Sequence, residues 1–257
     1  MTINIDPIIF RIGSIEIAWH GIFMVVGLVA AVLLSVRLVA KAGLSVDQFY
    51  NIALWSIPGG IIGARLIHVI DYWDFYIANP GNILAIYKGG LALWGGILGG
   101  ILVALLYARI KKLNIAGYAD RIGLGMILGQ ALGRIGDVIN GEHFSIAAGS
   151  PWGVVYTHPN SPAVGLPPAH LAVGYELVMD LVIFGVLMRL LGRIKPDGTL
   201  FLLYLASYSV GRFFLSFLRL DSKTVQLGLN QPQWLSLFVV IAVVVLFFYR
   251  RKSQNAD

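Results

Sequence analysis

The residues in this chain that could do chemistry gather in one stretch, Gly133-Arg134-Ile135-Gly136-Asp137-Val138-Ile139-Asn140-Gly141-Glu142. It closes an apolar run, yet it holds an arginine, an aspartate, an asparagine and a glutamate. Ionisable groups inside hydrocarbon cost about 2.5 kcal/mol each on the mildest scale, so they persist there when paired or used. A second arginine, Arg212, lies in a later apolar run. A guanidinium presents a rigid planar fork that grips phosphate oxygens at two points. Arg134 and Arg212 are therefore the candidate phosphate-binding pair. The plainer alternative is a structural salt bridge from Arg134 to Asp137 or Glu142. Asp137 stands three residues on, a helical neighbour placed to neutralise Arg134. Asn140 and Glu142 either shape the end of the helix or orient Arg134 through a carboxylate contact.

Other polar residues carry weaker signals. His20 follows Trp19 at the start of the first apolar run, where an interfacial aromatic belt is expected. His170 precedes Tyr175 and Glu176, and an imidazole can serve as a base near neutral pH. Arg65, His68 and Asp71 follow one another at intervals of three and are expected to form a local polar cluster. Gly125, Gly129 and Gly133 recur every four residues, which predicts a helix face bare of side chains against a close neighbour. Gly59 with Gly63, Gly95 with Gly99 and Gly96 with Gly100 predict the same. The chain holds no cysteine, which removes a disulfide framework, a thiolate nucleophile and a cysteine metal site. A Gly-x-Ser-x-Gly elbow and a His-Glu-x-x-His zinc site are absent, as is the lysine of a phosphate-cradling loop. Arg134-Ile135-Gly136-Asp137 lacks the first glycine of the Gly-x-Gly-Asp motif of intramembrane aspartyl proteases.

The elements that must position these residues are apolar spans. Hydrophobic residues make up 58% of the chain and charged ones 12%, and the mean hydropathy is +0.79. A soluble domain carries about twice that charge. The expectation is an all-α, polytopic membrane protein, one integral-membrane domain over residues 1–257. Seven spans can be drawn, at 17–40, 51–70, 91–110, 122–139, 171–191, 200–217 and 234–249. The segment before them alternates apolar and polar residues, and is expected to lie along the surface or to pair as a short hairpin around Gly13. It lacks a basic start, an apolar core and a small-residue cleavage site, so no cleavable signal peptide is expected.

Basic residues set the orientation. Arg37 and Lys41, then Arg109, Lys111, Lys112 and Arg121, then Arg189, Arg193 and Lys195, and finally Arg250, Arg251 and Lys252 fall on one side. Only Arg11, Lys88, Arg219 and Lys223 fall plainly outside a span on the other. The first side is then cytoplasmic, the N-terminus outside and the C-terminus inside, and the net charge of +6 reflects topology rather than nucleic-acid binding. Outward-running spans bring Arg65, His68, Asp71, Arg134, Asp137 and Arg212 to the outer surface. Inward-running ones bring His20, Trp94, His170, Tyr175 and Glu176. One polar pocket opening toward the outer leaflet is expected, with the long external connection 140–168 folded over it.

At this point the motifs resemble a known family. Gly133-Arg134-Ile135-Gly136-Asp137-Val138-Ile139-Asn140-Gly141-Glu142 is similar to the Gly-Arg-x-Gly-Asn-Phe-x-Asn-Gly-Glu signature of the prolipoprotein diacylglyceryl transferases. Gly63-Ala64-Arg65-Leu66, Gly89-Gly90-Leu91-Ala92-Leu93-Trp94-Gly95-Gly96 and Tyr208-Ser209-Val210-Gly211-Arg212-Phe213 resemble further family segments in the same order. The departures are specific. Asp137 stands where asparagine is usual, His20 where tyrosine is usual, and Ser216 where glutamate is common. Trp94 occupies a position held by histidine or tryptophan. In His170-Leu171-Ala172-Val173-Gly174-Tyr175-Glu176 the family's proline is lost.

The resemblance implies an enzyme of the bacterial cytoplasmic (inner) membrane. It would transfer the diacylglyceryl group of phosphatidylglycerol to the lipobox cysteine of a preprolipoprotein, forming a thioether and releasing glycerol phosphate. Arg134 and Arg212 would be catalytic, and Arg134, Asn140, Glu142, Tyr208, Trp94 and His20 would contact substrate. Neither a metal nor an organic cofactor is implied. Breaking the glyceryl carbon–oxygen bond builds negative charge on the departing phosphate, which fixed cations would stabilise. The alternative is a non-catalytic lipid or anion carrier, which would call for paired broken helices in two halves.

Overall fold

Apolar periodicity and glycine faces shape the helices. The computed structural model describes residues 1–13, 15–86, 89–220 and 224–254, without the side chains of residue 15 and of 251–254. Lys88 and Lys223, and the side chains of Arg251 and Lys252, fall outside the described residues. The helices are α1 (Trp19–Lys41), α2 (Val46–Asp71), α3 (Trp73–Ala78), α4 (Leu93–Ile110), α5 (Ile115–Asn140), α6 (Ala172–Leu190), α7 (Thr199–Leu215) and α8 (Gln231–Gln254). All except the short α3 match an expected span to within a few residues at most ends. Six helices are long and apolar enough to cross a membrane: α1, α2, α4, α5, α7 with its 3-10 extension, and α8. The protein is mostly helical and built as a polytopic membrane protein. Helix α6 carries Glu176, Asp180 and Arg189 and stands apart from those six.

The described chain forms two compact units, Met1–Arg37 with Ala119–Asp257, and Leu38–Tyr118. In the second unit α2 packs on α4. A Cβ added at Gly60 would come within 3.1 Å of Gly96 O, and one at Gly59 within 3.1 Å of Gly99 O. The paired glycines therefore let the two backbones touch, as their spacing predicts. Arg65 does not join a cluster with Asp71. Its Nε donates to Ile83 O at 2.8 Å, Nη1 to Gly89 O at 2.7 Å and Gly90 O at 2.8 Å, and Nη2 to Asn82 O at 2.5 Å. The buried guanidinium spends its donors on the 82–90 loop, while Asp71 stays exposed. Trp94 sits in the first turn of α4, exposed.

In the first unit, strands β2 (Ile8–Ile12) and β3 (Ile15–Ala18) pair antiparallel about Gly13, whose φ of +59° suits a residue without a Cβ. The hairpin expectation holds. Strand β1 (Thr2–Ile3) pairs in parallel with β4 (Val155–Tyr156). Two caps fix the later helices, the first from a distant part of the chain. Asp120 accepts from Gly198 N at 2.7 Å and Phe201 N at 2.8 Å at the start of α7, where a carboxylate also favours the helix dipole. Asn230 and Gln233 exchange backbone and side-chain bonds of 2.9 and 3.0 Å at the start of α8, a reciprocal cap.

Helix α5 lies against α1 through Gly125, Gly129 and Gly136. A Cβ at Gly129 would come within 2.9 Å of Gly27 O and 3.1 Å of Ala31 Cβ, and one at Gly136 within 2.7 Å of His20 Cα. Gly133 meets nothing within 4 Å, contrary to the four-residue pattern. The reason is helical drift: four residues overshoot a 3.6-residue turn by about 40°, whereas seven fall short by only about 20°. Gly133 has rotated off the contact line, and Gly136 is back on it.

Candidate active site

The centre of the site is Glu176, one turn into α6 and fully buried. Its Oε1 accepts from Arg134 Nη2 at 2.7 Å and from Tyr208 Oη at 3.0 Å. Its Oε2 accepts from Arg212 Nη1 at 3.1 Å and Arg219 Nη1 at 3.3 Å. Helix α5 supplies Arg134, and α7 supplies Tyr208 and Arg212 one turn apart. Arg219 follows the 3-10 turn Ser216–Leu218 and is 7% exposed. It is therefore no surface marker of topology, although it does lie beyond the helix. Charge-assisted bonds of this length hold a buried carboxylate that would otherwise be strongly disfavoured.

Arg134 uses its other Nη on Asp137, Nη1 to Oδ2 at 2.8 Å. The local neutralising pair expected from the i, i+3 spacing is present, and Glu176 joins it. The remaining Asp137 oxygen, Oδ1, lies 2.5 Å from His20 Nδ1 on the first turn of α1. Two departures from the family pattern, His20 and Asp137, thus touch each other. Glu142 does not reach Arg134: its Oε1 accepts from Asn140 Nδ2 at 2.9 Å and its Oε2 lies 3.7 Å from His20 Nδ1. Gly141 and Glu142 return their backbone N–H groups to Asp137 O at 3.0 and 3.3 Å, ending α5. Gly141, with φ +75°, cannot carry a side chain there: a Cβ would meet Ser161 Oγ at 2.5 Å and the Tyr156 ring at 2.9 Å.

His20, Asp137, Arg134, Glu176, Tyr208 and Arg212 therefore form one connected polar network, and Asn140 with Glu142 sits at its edge. The reading of the sequence missed Glu176 as the hub, and with it Arg219 and Asp180. Asp180 lies one turn beyond Glu176, is fully buried, and offers two oxygens that meet no donor among the described residues. The signal was present, since Glu176 and Asp180 interrupt an apolar run as Arg134 does.

Two cavities adjoin the network. A groove of about 400 Å³ has Met24, Leu28, Ala31 and Met126 along its walls, and His20, Arg134 and Asp137 among its polar lining. Such a groove suits an amphipathic ligand with an anionic head. A second cavity of about 510 Å³ lies between the 140–168 segment and the start of α6, and its lining includes Glu142, His143, Tyr156 and His170. His170 Nδ1 is 3.2 Å from Tyr175 Oη. Tyr156 Oη donates to Val138 O at 2.6 Å, and burial pushes its phenol up to about 12. His20, Asp137 and Glu142 bring ligand atoms within 4.8 Å of one another. Asp137 has both oxygens, and His20 its Nδ1, already engaged, so no metal is assigned to them.

Apolar membrane helices and a buried network of guanidiniums and carboxylates, with an amphipathic groove beside it, define an integral-membrane protein with a polar site in its interior. The family model of the prolipoprotein diacylglyceryl transferases matches residues 7–249, and the chain belongs to that family. It is 37% identical to the phosphatidylglycerol–prolipoprotein diacylglyceryl transferase of Dehalococcoides mccartyi over 260 residues, 99% of this chain and 98% of that one. The protein of the same name from Clostridioides difficile is 37% identical over 251 residues, 97% of each. That from Staphylococcus aureus is 32% identical over 259 residues, covering 98% and 91%.

Proposed function

We infer that this chain transfers the diacylglyceryl group of phosphatidylglycerol to the lipobox cysteine of a bacterial preprolipoprotein, releasing glycerol phosphate in the first step of lipoprotein maturation. Family membership and the relatives' shared name support the reaction. The observation that carries it to particular residues is the convergence of Arg134 and Arg212 on one buried carboxylate, Glu176, beside the apolar groove. In this reading the acyl chains lie along the groove and the two arginines hold the phosphate. Glu176 fixes both guanidiniums in advance, so little reorganisation is needed as charge builds on the leaving phosphate. Tyr208, Asn140, Glu142 and His20 contact the substrates, and for Trp94 a substrate contact rests on the family resemblance alone.

The membrane arrangement we propose has seven spans, with α6 as the seventh, in the bacterial inner membrane, the whole chain acting as one transferase domain. Its charges need not face lipid, because Glu176 is paired and Asp180 is buried. The N-terminus is outside, the C-terminus cytoplasmic, the 140–168 segment external, and the site opens toward the outer leaflet. Two features support this. Basic residues cluster in the last turns of α1, α4 and α6 and just beyond them. His20 and Glu176 begin their helices while Arg134 and Arg212 end theirs. The chain has no cysteine, so single cysteines at Lys111 and Asn160, both exposed, give a direct check with an impermeant reagent on intact cells. Labelling at 111 without labelling at 160 would overturn the topology.

The reaction is tested with purified protein, phosphatidylglycerol labelled in its headgroup, and a lipobox peptide. Label is expected in glycerol phosphate together with a lipid-modified peptide, and neither when the peptide cysteine is replaced by serine. Headgroup release that ignores the peptide would refute the transferase reading.

A further inference from the structure

The transfer needs a group to take the thiol proton of the incoming cysteine. Glu176 has both oxygens committed to cations and a phenol, and Asp137 has both committed to Arg134 and His20. Asp180 is buried beyond reach. Resting on the transferase reading above, we propose that His20, held by Asp137, is the general base of the reaction.

His20 Nδ1 lies 2.5 Å from Asp137 Oδ1. A carboxylate paired to Arg134 through its other oxygen is an acceptor only. Nδ1 therefore carries the hydrogen, and the Nε2 lone pair is exposed for a proton. Nε2 has no partner among the described residues, and the His20 side chain keeps 35% of its surface accessible while lining the groove. The carboxylate that orients the imidazole is the one that Arg134 grips, so the proton acceptor and the phosphate cation share an anchor. This is the nucleophile–base–orienter arrangement, with the nucleophile arriving on the substrate. The charged and titratable groups facing His20 are Asp137, Glu142 at 3.7 Å and, through Asp137, Arg134 and His143. His143 Nε2 approaches the same carboxylate to 3.8 Å.

The step balances as follows. The thiol S–H bond breaks and its proton moves to Nε2. The thiolate pair forms the bond to the glyceryl carbon bearing the phosphate. That carbon–oxygen bond breaks, and its pair leaves on the phosphate oxygen against Arg134 and Arg212. The imidazolium then passes its proton to the phosphate monoester or to water, restoring the base.

The test is the pH profile of kcat for the purified protein, its His20→Gln variant and its Asp137→Asn variant, with headgroup-labelled phosphatidylglycerol and a lipobox peptide. His20→Gln should lower kcat by about 10²–10⁴-fold, far more than it raises KM for the lipid whose groove it lines, and should lose the acid limb that an imidazole base imposes. Asp137→Asn should lower kcat far more than it changes KM for the lipid, because an amide at 137 can turn its nitrogen toward Nδ1 and no longer fixes the tautomer that frees Nε2. A His20→Gln variant that turns over at the parent rate, or falls in rate while keeping the parent's acid limb, overturns the base role. If glutamine at position 20 lowers the melting temperature, Asp137→Asn decides alone, since asparagine is the residue usual there in the family. A parental kcat in Asp137→Asn overturns the dyad. A parent protein that releases no glycerol phosphate overturns the transferase reading and the dyad with it, whereas an active parent with an unaffected His20→Gln variant overturns the dyad only.

Discussion

Replacing Glu176 by glutamine is the perturbation that probes the site most directly. The side chain keeps its size and loses its charge. Four donors now converge on its two oxygens, three from arginines and one from Tyr208. A glutamine offers one acceptor oxygen and one amide nitrogen. Whichever way the amide turns, two of the four donors face another donor, and Arg134, Arg212 and Arg219 lose their common anion. Breaking a buried ion pair by removing one partner costs about 3–5 kcal/mol. For a chain this long each kcal/mol moves the midpoint by about 2–4 °C, so the melting temperature in detergent should fall by roughly 6–20 °C. Asp180→Asn is the matched control one turn away. Its carboxyl meets no donor among the described residues, so a neutral amide there should leave the midpoint at or above that of the parent. Both midpoints are read at one scan rate. The reasoning fails if Glu176→Gln melts with the parent, or if Asp180→Asn melts as low as Glu176→Gln.

Other consequences are independent of that one. Gly129→Leu should destabilise the fold by overpacking against Gly27 and Ala31, whereas Gly133→Ala should melt like the parent because its position is open. The reverse order would refute the drift of the glycine stripe. Arg→Lys at 134 or 212 should be strongly impaired in glycerol phosphate release, and Arg→Ala worse, by about 2.7–4 kcal/mol in the barrier. The double variant Arg134→Gln with Asp137→Asn should recover folding at most, so near-parental turnover would move Arg134 from the chemistry to the scaffold. Tyr156→Phe should be less stable than the parent below about pH 10, with the gap closing toward pH 12. The folded-state phenol is raised above its ordinary value, so the proton's contribution is complete below the unfolded pKa and lost as pH climbs through the folded one. A gap that stays constant across that window would refute it.

The spans were legible because hydrocarbon imposes length and apolarity directly on the sequence. The glycine pairs of α2 and α4 were legible because close backbone approach admits no side chain. Gly133 was misread because a row of four drifts around the helix, and only the alternation of spacings through Gly136 follows the contact. Arg134 and Arg212 stood out as cations in apolar runs. The same logic applied to Glu176 and Asp180, yet a lone carboxylate in a run looks like a cost until its partners are known, and those come from α5, α7 and the segment after α7. Arg219 shows why the partners stay hidden. In sequence it is one more basic residue beyond a span. In the fold, Ile146 N bonds Leu218 O and Leu220 N bonds Phe144 O, both at 2.9 Å. The 140–168 segment thereby covers the stretch that carries Arg219 and turns a loop charge into a buried ligand of Glu176. Hydropathy registers each charge where it stands along the chain. The energy that decides whether the charge is tolerated depends on what lies across from it, and for this site that is settled only when helices distant in sequence are packed.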